Sequence, residues 1–158
     1  GALSTGFRRV NSVHCMGSGL GVASGLGQLK KFGFSQPVIS VVGDSTFYHA
    51  ALPALINARW NQSEYLLVVL DNSATAMTGF QPHPGTGVKA SGQAGMAVDV
   101  EGVCRALGLE VTVVDPYDLA ATQEALYGAL LQGGLRVLIF RRVCALVQNK
   151  RGGHPYQV

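Results

Sequence analysis

The chain has 158 residues, of which 47% are hydrophobic and 13% charged, and its net charge is +3. That apolarity excludes a disordered chain, while the charge content falls well below the roughly 25% of ordinary soluble domains, so part of the exterior is expected to lie under another domain or subunit. Basic residues stand in small pairs (Arg8-Arg9, Lys30-Lys31, Arg141-Arg142, Lys150-Arg151) with no interleaved aromatics, a pattern that argues against nucleic-acid binding.

In chain order, the first expected element is a helix over residues 18–32, despite its glycines. The run Val-Ile-Ser-Val-Val at 38–42 reads as a strand and stops at Gly43-Asp44-Ser45. Leu52, Leu55, Ile56 and Arg59 then recur at helical spacing. A second strand is expected over 65–70, ending at Asp71-Asn72. Residues 72–97 hold five glycines and two prolines with little periodicity, and a loop of that length inside a domain tends to be functional or disordered. A short helix over 100–107 should stop at Gly108, followed by a strand over 110–114. The next helix runs through Leu119, Thr122, Leu126, Ala129 and Leu130. Asp115 is its expected N-cap, with Pro116 at the first helical position, Asp118 three residues after the cap and Gly133-Gly134 past the end. A strand over 136–140 closes the series, so residues 1–147 are expected to form the domain and 148–158 a tail or linker.

None of the four strands alternates strictly. Continuous Val/Ile/Leu runs fit strands covered on both faces, and strands alternating with helices predict a doubly wound α/β fold with a mostly parallel sheet. The apolar runs are strand-sized and far short of the ~20 residues of a membrane span, so no membrane association is expected. The chain opens at Gly1 without a signal-peptide pattern or an initiator methionine, which predicts a piece of a longer polypeptide. Cys15, Cys104 and Cys144 are widely spaced, which excludes a metal or iron–sulfur motif and fits a reducing cytoplasm. Cys104 shares an apolar helix face with Val103 and Leu107 and reads as a small hydrophobe. The glycines at 17, 19 and 21 make a poor dinucleotide fingerprint, since Val22 takes the sixth place and no convincing strand precedes them.

The carboxylate at the first strand end carries more information. Ligands of open parallel sheets bind outside the carboxyl ends of the strands, and a helix N-terminus there suits phosphate. Asp44 would repel phosphate unless a divalent cation lay between them. If the first two strands are neighbours, Asn72 reaches the same spot and completes an oxygen-only donor set suited to Mg²⁺ or Ca²⁺. On these residues alone the alternative stands beside it: Asp44 caps a helix and Asn72 opens a turn.

Gly43-Asp44, then 27 residues, then Asn72 resembles the thiamine diphosphate motif, with Ser45 where that motif usually has glycine. The blocks Gly43-Asp44-Ser45-Thr46-Phe47-Tyr48-His49, Pro53-Ala54-Leu55-Ile56-Asn57, Thr75-Ala76-Met77-Thr78-Gly79, Gln81-Pro82-His83-Pro84-Gly85 and Val114-Asp115-Pro116-Tyr117-Asp118-Leu119 resemble the C-terminal thiamine diphosphate domain of the indolepyruvate:ferredoxin oxidoreductase alpha subunits. The likeness runs from about residue 13 to 146.

That resemblance implies a thiamine diphosphate-binding fold. Mg²⁺ would be held by the Asp44 and Asn72 side chains and the Ala74 carbonyl. Gly43, Ser45, Thr78 and Gly79 would lie near the diphosphate, and Cys15, Met16 and Gly17 along the rings. His49 and His83 would be catalytic, with Gln81 and His83 facing substrate. The glutamate that activates the pyrimidine comes from a separate pyrimidine-binding domain or subunit in this family. Glu64, Glu101, Glu110 and Glu124 do not suit that role. [4Fe-4S] clusters would sit on missing segments or on a beta/gamma-type partner subunit. The implied activity is oxidative decarboxylation of an aryl pyruvate, a 2-oxo acid, with CoA to acyl-CoA, CO₂ and reduced ferredoxin, in a homo- or hetero-oligomer. The alternatives are a subunit of a non-oxidative 2-oxo acid decarboxylase and a non-catalytic assembly module. The third is disfavoured because a buried carboxylate without a cation is costly. Asp44→Ala is expected to abolish metal-dependent cofactor binding and to leave the fold intact.

Overall fold

Four strands, β1 (Ile39–Gly43), β2 (Tyr65–Asp71), β3 (Glu110–Val114) and β4 (Leu135–Arg141), form one sheet in the order β1-β2-β4-β3. Every neighbouring pair is parallel, as the continuous apolar runs predict. The computed structural model describes residues 14–150. The Arg8-Arg9 pair and the expected tail beyond residue 150 lie outside the described residues. Gly43 pairs with Leu70 in the register of β1 and β2, so the two strands end within a residue of one level and Asp44 meets the chain leaving β2 at Asn72.

One face of the sheet carries α1 (Ser18–Gln28), α3 (Leu52–Trp60) and α4 (Val100–Ala106). Val42, Leu67, Val69, Val137 and Ile139 pack there against Leu20, Phe47, Leu55 and Cys104. Cys104 is fully buried on this face, as expected of a small hydrophobe. The other face meets α5 (Leu119–Gln132), whose Ala125, Leu126, Ala129 and Leu130 pack on Leu66, Val68 and Leu138.

Between β1 and α3 the chain is helical without a break: α2 (Asp44–Thr46) leads into a π-helical turn, Phe47–Ala51. The expected helix thus begins earlier than its Leu52 repeat indicates. Phe47 and Ala51 of this run are buried together with Leu55 and Ala58.

The start of α5 differs from expectation by one turn. Asp118, not Asp115, is the N-cap, its carboxylate accepting the Ala121 N–H at 3.0 Å. Asp115 instead accepts the Tyr117 N–H and closes a preceding turn. Both aspartates satisfy the cap pattern locally, and the second wins because helix packing on the sheet begins only after it. A further helix, α6 (Ala145–Lys150), runs through the boundary expected at residue 147.

Candidate functional site

Asp44 leaves β1 as the first residue of α2 and is 3% exposed. Its Oδ2 accepts the N–H groups of Asn72 at 3.0 Å and Ser73 at 2.8 Å, and its Oδ1 accepts that of Ser45 at 2.8 Å. Ser73 has a φ of 59°, which turns two successive N–H groups onto one oxygen in the manner of an anion-binding nest. The carboxylate therefore stitches the end of β1 to the chain leaving β2. Two expectations change as a result. Three N–H bonds satisfy the charge, so burial by itself does not call for a cation. Nor is the side chain independent of the fold: Asp44→Ala would strand the Asn72 and Ser73 donors, at a cost of about 1–3 kcal/mol for each one left unpaired.

The Asn72 side-chain oxygen accepts the Ala74 N–H at 3.1 Å and fixes a tight turn there. Ala74 is buried. Asp44 Oδ1, Asn72 Oδ1 and the Ala74 carbonyl thus come from two adjacent strand ends. One carboxylate with neutral oxygens is the donor set of a hard dication that completes its shell with phosphate and water. Among the described residues no group of three or more His, Cys, Asp or Glu side chains gathers to hold a metal by itself.

The long loop is ordered by its own hydrogen bonds. Thr75 and Gln81 form an antiparallel bridge, with the Thr78 hydroxyl 2.6 Å from Gln81 Oε1 and Gln81 Nε2 donating to the Thr78 carbonyl. Gly79, with φ 124°, makes the turn between them. Thr75 Oγ1 donates to Ser45 Oγ at 2.9 Å and binds this turn to the start of α2. Ser45 therefore joins Thr75 to the Asp44–Asn72 junction, and Thr78 and Gln81 follow on the turn that Thr75 opens. Gly43 has free space where a Cβ would stand.

Cys15 and Met16 are exposed and precede the N-cap of α1, Gly17. Gly17 has φ 86°, and a Cβ on it would stand 2.9 Å from that of Ala50, so only glycine lets this turn press on the π-helical segment. The contact brings residues 15–17 against the segment that bears His49, whose side chain is exposed.

His83 behaves differently. Its side chain is 1% exposed and its Nε2 lies 3.1 Å from Asp44 Oδ2. The ring stacks on Tyr48 at 5.7 Å between centroids. Burial, with smaller contributions from Asp71, Asp99 and Asp44, pushes the Tyr48 hydroxyl up to about 12, so it stays protonated and donates to the Val98 carbonyl.

Sequence reasoning missed Tyr48 and Arg141. Arg141 Nε donates to Asp71 Oδ2 at 2.8 Å, and its other nitrogens reach Asp99 and Glu101. It thereby ties the end of β2 to the far end of the loop. Asp71 beside Asn72 was the available signal for Tyr48's acidic surroundings, but no local pattern links position 141 to position 71. The four glutamates weighed for pyrimidine activation lie elsewhere: Glu64 pairs with Lys30, Glu101 with Arg105, and Glu110 with Arg136, while Glu124 sits on α5.

A parallel sheet with a carboxylate and an asparagine converging from adjacent strand ends makes an α/β domain with oxygen donors gathered at the carboxyl edge of its sheet. Residues 5–140 match the family of thiamine pyrophosphate enzymes, C-terminal TPP binding domain, and the chain belongs to it. It is 44% identical, over 86% of its length, to a protein named indolepyruvate oxidoreductase subunit IorA from Archaeoglobus fulgidus. The Thermococcus kodakarensis protein of the same name is 45% identical over 96% of the chain. The chain spans 21% and 26% of the length of these two relatives. Its fold is also similar to an X-ray structure of a putative thiamin diphosphate-dependent enzyme from Mycobacterium smegmatis, with a TM-score of 0.59 and 22% identity, covering 82% of this chain and 22% of that one. No helix among the described residues is long and apolar enough to cross a membrane.

Proposed function

We propose that the chain is the diphosphate- and metal-binding half of a thiamine diphosphate-dependent 2-oxo acid:ferredoxin oxidoreductase acting on aryl pyruvates. The observation that carries this reading is the direct contact of Asp44 with the Asn72 backbone at the ends of two parallel strands. Asp44, Asn72 and the Ala74 carbonyl hold Mg²⁺. Gly43 offers close backbone approach to the diphosphate, with Ser45, Thr78 and Gly79 beside it. Cys15, Met16 and Gly17 face the rings. When bound, the cofactor supplies the carbanion chemistry that decarboxylating a 2-oxo acid requires.

The chain's own residues do the remaining work. Asp44 and Asn72 orient the cation, the 75–81 turn closes over the junction, and His49 and Gln81 face the substrate. The pyrimidine-activating carboxylate comes from another domain or subunit, since no described glutamate lies at the site. Iron–sulfur clusters, ferredoxin and CoA are met by other parts of the assembly. The name of the relatives, a subunit of an oxidoreductase, supports such an assembly.

The test uses the intact protein with its partners. Wild type reduces ferredoxin or viologen when given indolepyruvate and CoA. Asp44→Asn, which keeps side-chain volume, binds Mg²⁺ and thiamine diphosphate at least tenfold more weakly by calorimetry, a loss of about 1.4 kcal/mol or more. Release of CO₂ without any electron acceptor would favour a non-oxidative decarboxylase. Undiminished affinity in Asp44→Asn would refute the cation assignment.

A further inference from the structure

We propose that His83 is a positioning residue for the metal-binding carboxylate, acting through Asp44 rather than on substrate; the proposal rests on the assignment of Asp44 to the cation. His83 Nδ1 accepts the Gly85 N–H at 3.1 Å, so the neutral ring carries its proton on Nε2. That nitrogen lies 3.1 Å from Asp44 Oδ2, inside a pair of side chains that are 1% and 4% exposed. The distance is short enough for a hydrogen bond, yet the N–H is off line, and Nε2 has no aligned partner of its own. A buried donor in that state is costly. A modest rotation of the carboxylate or ring aligns it, and Asp44 is the acceptor within reach.

The ring is placed by packing. It lies stacked on Tyr48, four residues beyond Asp44 on the same helical run, and the Tyr48 hydroxyl is anchored to the Val98 carbonyl. A Cβ on Gly85 would stand 2.7 Å from the Tyr48 oxygen, so the loop needs glycine there to seat the histidine. Oδ2 thus accepts the Asn72 and Ser73 N–H groups and has His83 Nε2 beside it, while Oδ1 accepts only the Ser45 N–H. Holding Oδ2 on three sides fixes the carboxylate's rotation and leaves Oδ1 as the oxygen that turns to the cation. In this way His83 controls metal affinity without touching the metal, as outer hydrogen-bonding partners of metal ligands commonly do.

Donor and packing roles separate in two variants of the intact protein. His83→Phe keeps a ring against Tyr48 and removes the N–H; His83→Gln restores an N–H near the Nε2 position without the ring. Mg²⁺ affinity is measured by calorimetry at saturating thiamine diphosphate, together with the thermal midpoint in the absence of both ligands. His83→Phe should weaken Mg²⁺ about 10- to 100-fold with a near-native midpoint, and His83→Gln should recover most of the loss. Wild-type affinity in His83→Phe, or a His83→Gln variant no better than His83→Phe, overturns the proposal. Should His83→Phe fail to fold, His83→Asn decides, because its amide is too short to reach Asp44. The same 10- to 100-fold loss then supports the proposal, and undiminished affinity overturns it. A wild-type protein that takes up no Mg²⁺ at all would remove the cation assignment itself, and this proposal with it.

Discussion

On the sheet face that carries α1, α3 and α4, Phe47, Leu55 and Cys104 are fully buried, whereas α5, packed on the opposite face, buries none of its own residues. On that second face Ile39 and Val41 of β1 remain 44% and 58% exposed, because α5 covers β2, β3 and β4 but not the β1 edge. The difference teaches where the site draws its rigidity. Asp44 opens the helical run whose Phe47 and Ala51 plug the deep face, so its carboxylate hangs from the best-packed part of the described residues. The open face fits the low charge content, which the sequence attributes to a covered exterior.

Three measurements would break or sharpen that contrast. Phe47→Ala should have the largest effect, about 3–5 kcal/mol in urea unfolding, since it removes a fully buried ring and leaves a cavity beneath the turn that holds Asp44. A loss of under 1 kcal/mol would show that the deep face relaxes around the cavity and anchors nothing.

The second measurement is pH dependence. Burial, with a smaller contribution from Asp99, pushes the Cys104 thiol up from its ordinary 9.0 to about 12. Burial likewise raises Tyr48 to about 12 and moves Tyr65 further upward. For groups raised in the folded state, the unfolded chain loses its protons first. Their stabilisation is therefore complete below about pH 9 and is lost as pH climbs toward 12. The urea midpoint should be insensitive to these groups near neutrality and fall steadily above pH 9. Cys104→Ala should make that decline shallower. An unchanged alkaline slope in Cys104→Ala would mean that the thiol is not held in the core.

The smallest effect is expected on the open face. Val41→Thr keeps a β-branched side chain at an exposed position and should shift stability by no more than about 0.5 kcal/mol. A cost comparable to that of Phe47→Ala would place Val41 in a packed environment and erase the distinction between the faces.

The strands were legible because each is a continuous apolar run, and predicted and observed limits agree to within a residue. Helix starts were less so. Asp115 and Asp118 both offer an oxygen three residues ahead of a free N–H, and local sequence cannot rank them; the distance to the sheet does. The π turn at 47–51 left no periodic trace, since one extra residue in a helix simply looks like an interrupted repeat. At the site, Gly43-Asp44 and Asn72 could be read together through their spacing. Tyr48, Arg141 and the seat of His83 could not, because their partners lie 35 to 70 positions away.

By itself the sequence determined the parallel α/β architecture and the two strand ends that carry oxygen donors, since both follow from short-range patterns: apolar runs, turn residues and a motif of set spacing. Tertiary structure alone decided that Asp44 also binds two loop N–H groups, that one sheet face is deeply packed and the other thin, and that His83 is buried against the carboxylate while His49 is exposed. Those outcomes depend on which distant segments meet when the sheet closes, and burial is a property of that meeting rather than of any residue's neighbours in the chain.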